Sequence, residues 1–213
     1  MPRRVIVKVC GLTHADDATW ALGCGADWLG FVVHGESPRR IEPEQAAAIV
    51  QAAGGGVPVA VMVDVTPEQA LELARRARCE RVQLHRVAPA GWPPDFPLPC
   101  AFVLRVDAAG VIAGEEPAPA HLVMLDTSLP GKEGGTGQVW PWDAARPLAA
   151  RRDVMLAGGL SGANVADAIR TVRPYGVDAS SALESSPGRK DPERVRRYVE
   201  AARTAERLLA DAS

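Results

Sequence analysis

Eight short apolar segments recur along this chain of 213 residues, and they alternate with helical segments or irregular connections. Short runs rich in valine and leucine are typical of parallel strands that are buried on both faces. We predict strands at residues 5–10, 28–33, 57–64, 81–85, 101–106, 122–126, 154–157 and 177–181. Hydrophobic residues make up 47% of the chain, which is enough to surround such strands with a sizeable core.

Helical segments follow most of these strands. We predict helices at residues 14–24, 43–53, 67–78, 142–149, 162–172 and 192–209. The connections after the fourth and fifth strands differ from the rest. Residues 89–99 include five prolines, which a regular helix does not accommodate, and the segment after residue 106 consists mainly of small residues.

This alternation predicts an α/β protein with a single (β/α)8 TIM barrel spanning residues 1–213 and irregular connections after strands four and five. An open doubly wound sheet is the alternative. Its usual sign, a Gly-x-Gly-x-x-Gly motif after the first strand, is absent from the sequence.

Charge and cysteine content exclude several functional classes. The chain has 24 Lys and Arg against 26 Asp and Glu, so no general basic surface favours nucleic acid. No apolar run is long enough for a membrane span, and Lys8 interrupts the N-terminal apolar stretch that a signal peptide would need. None of the four cysteines lies in a Cys-x-x-Cys pair, so we expect no metal site. We therefore expect a soluble cytoplasmic protein with no nucleic-acid or membrane partner.

Two ionisable side chains stand at the carboxyl ends of predicted strands, where α/β barrels build their active sites. Alternation along the first strand directs Ile6, Lys8 and Cys10 inward, with Cys10 uppermost, and alternation along the sixth places Asp126 uppermost. A thiol and a carboxylate on nearly opposite strands suggest a base and an acid on two sides of one substrate. The structural alternatives are a small buried cysteine and a helix-capping or ion-paired aspartate.

Three further polar side chains are candidates near this mouth. Arg39 follows Ser37-Pro38 in the loop after strand two and could bind a carboxylate with two hydrogen bonds. His85 ends strand four and could contact a substrate. Lys8 lies deeper in the barrel, where an internal ion pair is the more natural role.

The last two strands end in sequences that suit a phosphate group. Gly158 and Gly159 follow strand seven, and Ser180 and Ser181 end strand eight, which are the positions where barrels commonly bind phosphate. The glycine-rich loop at residues 130–137, with Gly134 and Gly135, could close over the substrate as a lid. An ordinary surface loop is the alternative.

Taken in order, these motifs resemble the phosphoribosylanthranilate isomerase family of tryptophan biosynthesis over nearly the whole chain. The matching segments are Lys8-Val9-Cys10-Gly11-Leu12-Thr13, Gly25-Ala26-Asp27, Gly30-Phe31, Ser37-Pro38-Arg39, Val82-Gln83-Leu84-His85, Leu125-Asp126-Thr127, Gly134-Gly135-Thr136-Gly137, Leu156-Ala157-Gly158-Gly159-Leu160, Asn164-Val165, Arg173-Pro174-Tyr175-Gly176-Val177-Asp178, Ser180-Ser181 and Pro187-Gly188-Arg189-Lys190-Asp191.

The resemblance implies a cofactor-free Amadori rearrangement of a small phosphoribosyl substrate. It implies that Asp126 is the general acid, Cys10 the general base and Arg39 the group that binds the anthranilate carboxylate. It also implies a phosphate site at Gly158, Gly159, Ser180 and Ser181, and a monomer or homodimer. Because a free thiol has a pKa of about 8.5, the site should either lower the pKa of Cys10 or use its minor thiolate fraction.

Three residues depart from the family pattern at the barrel mouth. Arg86 and Ala182 stand where glycine is usual, and Asp64 stands where asparagine is common. These departures leave two alternatives open: a related isomerase that acts on another phosphoribosyl arylamine, and a non-catalytic barrel that binds phosphate.

Overall fold

The computed structural model describes residues 4–127 and 140–211. Its centre is a sheet of eight parallel strands in which each strand pairs with the next along the chain and the last pairs with the first. The strands are β1 (Ile6–Val9), β2 (Trp28–Val32), β3 (Val57–Val63), β4 (Arg81–His85), β5 (Cys100–Val106), β6 (Leu122–Thr127), β7 (Val154–Leu156) and β8 (Gly176–Ala179). The predicted closed barrel is confirmed, and the open-sheet alternative is wrong.

Six α-helices surround this barrel in the part of the chain that is described. They are α1 (Ala15–Cys24), α2 (Pro43–Ala53), α3 (Pro67–Arg76), α4 (Arg146–Ala149), α5 (Val165–Val172) and α6 (Pro192–Asp211). Local sequence accounts for several of the helix ends. Thr66 and Gln69 form a reciprocal capping box at the start of α3, and Gly25 ends α1 with a left-handed φ of 102°.

The two predicted irregular connections are also confirmed. After β4 the proline-rich segment continues to β5 without a helix, and after β5 the two-residue strand Ile112–Ala113 folds back antiparallel on the end of β5. The helix predicted at residues 142–149 is a 3-10 turn, Trp142–Ala145, that continues directly into α4.

Side chains alternate along the strands as the sequence predicts. Val7 and Val9 of β1 are buried in the layer between the sheet and the helices. Inside the barrel, Met124 of β6 packs with Met155 of β7 and with other inward-facing residues, and Lys8 is fully buried. This alternation leaves Cys10 and Asp126 as the uppermost inward-facing residues of their strands.

Strand eight ends earlier than predicted. It stops at Ala179, because the backbone of Ser180 leaves the extended conformation (φ −129°, ψ −89°) and Ser181–Leu183 forms a 3-10 turn. Ser180 is thereby placed at the mouth of the barrel instead of within the sheet. No helix in the described ranges is long and apolar enough to cross a membrane.

Candidate active site

A pocket opens at the carboxyl ends of the strands. The polar and charged side chains that line it come from most of the strands: Cys10, Glu36, Ser37, Arg39, Gln83, His85, Arg86, Arg105, Asp126, Thr127, Asp178 and Ser180. The structure therefore brings together the predicted base, acid, arginine and histidine in one cavity.

Cys10 lies at the end of β1, beside the ammonium group of Lys8. Gly30 of β2 makes this arrangement possible, because a Cβ at that position would lie 2.8 Å from the Cys10 Sγ and 2.9 Å from the Lys8 Nζ. A methyl group cannot occupy that space without displacing one of the two side chains. Glycine at position 30 thus leaves room for the thiol and the ammonium group to lie together.

Lys8 forms the internal ion pair that the sequence suggests. Its Nζ donates a hydrogen bond of 2.9 Å to the Oδ1 of Asp178 on the neighbouring strand β8, and both residues are buried. Burial by itself lowers the pKa of Lys8, but Asp178 and Cys10 outweigh it, so the net effect raises this pKa. Lys8 therefore supplies a permanent positive charge beneath the thiol.

Burial raises the pKa of the Cys10 thiol above its ordinary value, while the nearby Lys8 ammonium group acts in the opposite direction. The sequence leaves two possibilities: a site that lowers the pKa of the Cys10 thiol, or a reaction that uses its minor thiolate fraction. The first is wrong, because the pKa is raised. The second agrees with the structure, and Lys8 is placed to stabilise the thiolate.

Asp126 is the last inward-facing residue of β6, and its environment makes the protonated form more common than in a free aspartic acid. Burial first, and then the negative charge of Asp178, raise its pKa to about 6. The N–H group of Thr127, which donates to the Asp126 Oδ1 over 2.8 Å, acts in the opposite direction, as do Arg105 and Lys8. A carboxyl group with this pKa can serve as a general acid near neutral pH.

His85 lies at the end of β4 and lines the pocket, as its position in the sequence suggests. Burial, together with the nearby cations Lys8, Arg105 and Arg86, lowers its pKa to about 3, so its imidazole is neutral at physiological pH. The His85 Nε2 lies 2.8 Å from the Nε2 of Gln83, within hydrogen-bonding distance. This contact fixes the orientation of the ring and leaves Nδ1 for another partner.

Arg39 reaches the pocket, but it already has a carboxylate partner. Its Nε and Nη2 donate to the two carboxylate oxygens of Glu184 over 2.8 and 2.7 Å, and Lys190 donates to the same carboxylate over 2.9 Å. Arg39 is therefore held in place by a buried network, and its remaining N–H groups are the ones available to a ligand.

The predicted phosphate residues lie just beyond the carboxyl ends of the adjacent strands β7 and β8. Ser180 lines the pocket, and Gly158 and Gly159 follow β7 with left-handed φ angles of 80° and 72°. The side chain of Asn164 braces this turn, since its Nδ2 donates to the Gly159 carbonyl over 2.9 Å and its Oδ1 accepts from the N–H of Ser161 over 2.8 Å. Ser181 begins the 3-10 turn that follows.

Four residues near the site were not among the candidates predicted from the sequence: Gln83, Arg105, Asp178 and Glu184. Strand alternation could have found Gln83 and Asp178, because they share the inward-facing phase of their strands with His85 and Ser180. Arg105 had no such reference, because no residue of its strand was singled out. For Glu184 no such signal exists, since it lies beyond β8 and reaches Arg39 across 145 positions of the chain.

Two of the departures from the family pattern pair with each other. The Arg86 Nη2 lies 2.8 Å from the Oδ2 of Asp64, and both side chains are about half exposed. Both residues have left-handed backbones, with φ angles of 54° and 53°. The third departure, Ala182, lies in the turn after Ser180. The predicted lid residues Gly134 and Gly135 lie outside the described part of the chain.

Comparison with known proteins identifies the family. Residues 7–201 match the family model described as N-(5'phosphoribosyl)anthranilate (PRA) isomerase. The N-(5'-phosphoribosyl)anthranilate isomerase of Geobacter sulfurreducens is 41% identical over 211 residues, which cover 93% of this chain and 98% of that protein.

Solved structures agree with this result. The phosphoribosyl anthranilate isomerase of Thermotoga maritima superposes with a TM-score of 0.80 at 30% identity, covering 94% of this chain and all (100%) of the other. A further structure of a phosphoribosyl anthranilate isomerase, in complex with reduced 1-(o-carboxyphenylamino)-1-deoxyribulose 5-phosphate, gives a TM-score of 0.76 at 29% identity, with coverage of 94% and 100%. This chain belongs to the N-(5'-phosphoribosyl)anthranilate isomerase family.

Proposed function

We propose that this chain catalyses the Amadori rearrangement of N-(5'-phosphoribosyl)anthranilate to 1-(2-carboxyphenylamino)-1-deoxyribulose 5-phosphate in tryptophan biosynthesis. One observation carries the proposal: a thiol supported by a buried ammonium group and a carboxyl group with a pKa of about 6 face the same pocket. This pairing supplies one group to accept a proton and another to donate one.

The order of the strands supports one orientation of the substrate. The phosphate group binds at the ends of β7 and β8, and the sugar lies over β1 and β6, between Cys10 and Asp126. Since strands follow one another around the barrel, the aromatic end then points across the mouth toward β2, β3 and β4. Arg39 and His85 lie on that side.

In the first step, Asp126 gives its proton to the ring oxygen of the ribose. The bond between C1 and that oxygen breaks, and the lone pair of the arylamine nitrogen forms a C=N bond, which opens the sugar to a protonated Schiff base. Asp126 is left as a carboxylate. Because the pKa of this carboxyl group is raised, a larger fraction of it is protonated at neutral pH, and so able to donate, than in an ordinary aspartic acid.

In the second step, the thiolate of Cys10 removes the proton from C2. The electron pair of that C–H bond forms a C1=C2 double bond, and the C=N electrons return to nitrogen, giving an enolamine. Tautomerisation then moves the hydroxyl proton of C2 to C1 and leaves the ketone, and transfer of a proton from the Cys10 thiol to the Asp126 carboxylate through solvent restores both groups. The atoms and electrons of substrate and product are the same, so the reaction needs no oxidant, reductant or cofactor.

The catalytically active protonation state of the enzyme is a minor species, because the pKa of Asp126 lies below neutral pH and that of Cys10 lies above it. It requires a protonated Asp126, whose pKa is about 6, and an ionised Cys10, whose pKa is raised by burial. Only a small fraction of the molecules then has both groups in the required form, but this fraction is constant between the two pKa values.

Arg39 binds the anthranilate carboxylate through the N–H groups that Glu184 leaves available, and neutral His85 donates a hydrogen bond to the substrate. Gly158, Gly159, Ser180 and Ser181 surround the phosphate group. We further propose that the enzyme works in the cytoplasm on this small molecule, as a monomer or homodimer and without nucleic acid. The net charge of −2 supports the last point.

The test is turnover of phosphoribosyl anthranilate generated in the assay, followed by the loss of its fluorescence. We expect turnover by the wild type and a loss of at least about a hundredfold in both Cys10→Ala and Asp126→Asn, with product-analogue binding retained in both variants. A folded wild type that binds the analogue without turnover would instead support the non-catalytic barrel.

A further inference from the structure

Arg105 stands beside the proposed acid in the sheet. It is the register partner of Asp126, since the two residues lie opposite each other on the adjacent strands β5 and β6. Residues paired in this way point to the same face of a sheet, and both side chains line the pocket. Arg105 is only partly exposed.

The cations Lys8, beneath the pocket, and Arg39 and Arg86, in its lining, already have carboxylate partners. Lys8 pairs with Asp178, Arg39 with Glu184 and Arg86 with Asp64. Arg105 forms no ion pair with any residue of the described ranges, and its one hydrogen-bond contact there is 3.5 Å from Nη1 to the Thr127 carbonyl oxygen, which is long for such a bond. A partly buried guanidinium without a counter-charge is destabilising, and the carboxylate form of Asp126, its register partner, is placed to supply that charge.

We propose that Arg105 is a positioning residue whose guanidinium group is the counter-charge of the Asp126 carboxylate that forms when this acid protonates the ribose ring oxygen. In that step the O–H bond of Asp126 breaks, an O–H bond forms on the ring oxygen, and the C1–O bond breaks. The inference rests on the proposed function, since it assigns a partner to the proposed acid.

The advantage of this arrangement is that the interaction grows during the reaction. A protonated Asp126 is neutral and attracts Arg105 weakly, whereas the carboxylate attracts it strongly. An interaction that is stronger in the transition state than in the ground state accelerates the chemical step. Placing the counter-charge on β5 before the reaction begins also avoids any reorganisation during proton transfer.

Other charges around Asp126 do not supply this effect. Asp178, from β8, repels the new carboxylate, and Lys8, from β1, is already bonded to Asp178. Cys10 and His85 also face the pocket, from β1 and β4, but the imidazole is neutral at working pH and the thiol is mostly so. The positive charge of Arg105 lowers the pKa of Asp126, which agrees with the geometric argument.

The test compares Arg105→Met with Arg105→Lys, and uses Arg86→Met as a matched control that removes a guanidinium from the same pocket. We would measure kcat and KM against pH, and titrate the Asp126 carboxyl by 13C NMR without substrate. We expect Arg105→Met to lower kcat by about tenfold to a hundredfold, to change KM little, and to raise the pKa of Asp126. Arg105→Lys should restore most of the rate, and Arg86→Met should leave the pKa of Asp126 unchanged.

Two results would overturn the inference: a pKa of Asp126 that does not move in Arg105→Met, or a large rise in KM with an unchanged kcat, which would make Arg105 a ligand of the substrate. If Arg105→Met does not fold, Arg105→Gln carries the same comparison. A wild type without turnover would reject the proposed function, while the NMR titration would still decide whether Arg105 acts on Asp126.

Discussion

The Nζ of Lys8 lies 2.9 Å from the Oδ1 of Asp178, and this ion pair is enclosed within the barrel one layer below Cys10. It links β1 to β8, the two strands whose pairing closes the sheet. The pair therefore has two roles: it links the first and last strands of the barrel, and it places a positive charge beneath the thiol.

Lys8→Met should be strongly destabilising, because it leaves Asp178 buried without a partner. Breaking a buried pair in this way costs about 3–5 kcal/mol of unfolding free energy. The double variant Lys8→Met/Asp178→Asn should recover part of that loss, since no unpaired charge remains. Urea denaturation of the three proteins measures both effects.

The exposed pair between Arg40 and Glu42 is the control. Its side chains are 49% and 68% exposed, so Arg40→Met should cost no more than about 1 kcal/mol. A loss in Lys8→Met as small as that of Arg40→Met would show that the buried pair contributes no more to stability than a surface pair.

The pH dependence of kcat/KM should show a plateau. Activity needs a protonated Asp126 and an ionised Cys10. Below the Asp126 pKa of about 6 the thiolate fraction keeps falling while the acid is already fully protonated, so kcat/KM decreases. Above the pKa of Cys10 the protonated fraction of Asp126 keeps falling while the thiolate is complete, so kcat/KM decreases again.

The Asp178→Asn variant tests whether Asp126 is the group that causes the fall of kcat/KM at low pH. It removes a negative charge that raises the pKa of Asp126, so the ascending limb should move to lower pH. Full kinetic profiles of wild type and variant, at constant ionic strength, make the comparison. An ascending limb that stays in place would mean that it does not report Asp126.

Arg39 should contribute to binding through the substrate carboxylate. Arg39→Ala should raise KM for phosphoribosyl anthranilate by about tenfold to a hundredfold, the loss expected for a charge-assisted hydrogen-bonded pair. An analogue that lacks the carboxylate should be affected much less. Steady-state kinetics on both substrates measures the difference, and an equal effect on the two would rule out this role.

Glu184→Gln tests whether the network behind Arg39 matters. Glu184 accepts hydrogen bonds from both Arg39 and Lys190, so the neutral side chain leaves two partly buried cations with a weaker partner. We expect a smaller rise in KM than in Arg39→Ala, in the same direction and again specific for the carboxylate-bearing substrate.

Much of this architecture could be predicted because it depends on local patterns. Alternation along β1 and β6 places Cys10 and Asp126 at the mouth, and the prolines after β4 predict the missing helix. The partners Glu184 and Arg105 could not be assigned in that way. Their contacts depend on how a distant turn folds back and on the register between neighbouring strands, and no single segment of sequence contains that information.

Gly30→Ala should impair catalysis without unfolding the protein. The added Cβ would lie 2.8 Å from the Cys10 Sγ, 2.9 Å from the Lys8 Nζ and 3.1 Å from the Cys10 Cα, so at least one of the two side chains must shift. Lys8 then stabilises the thiolate less well and the Cys10 thiol is displaced from the substrate. We therefore expect kcat to fall by more than about tenfold.

Gly23→Ala is the matched control. Gly23 lies within α1, and a Cβ there meets no other atom within 4 Å, so activity should be unchanged and the helix should gain about 1 kcal/mol or less of stability. Kinetics and thermal unfolding of both variants separate a local effect at the base from a general effect of adding a methyl group. If Gly30→Ala keeps full activity, contact between Lys8 and the thiol is not needed for the reaction.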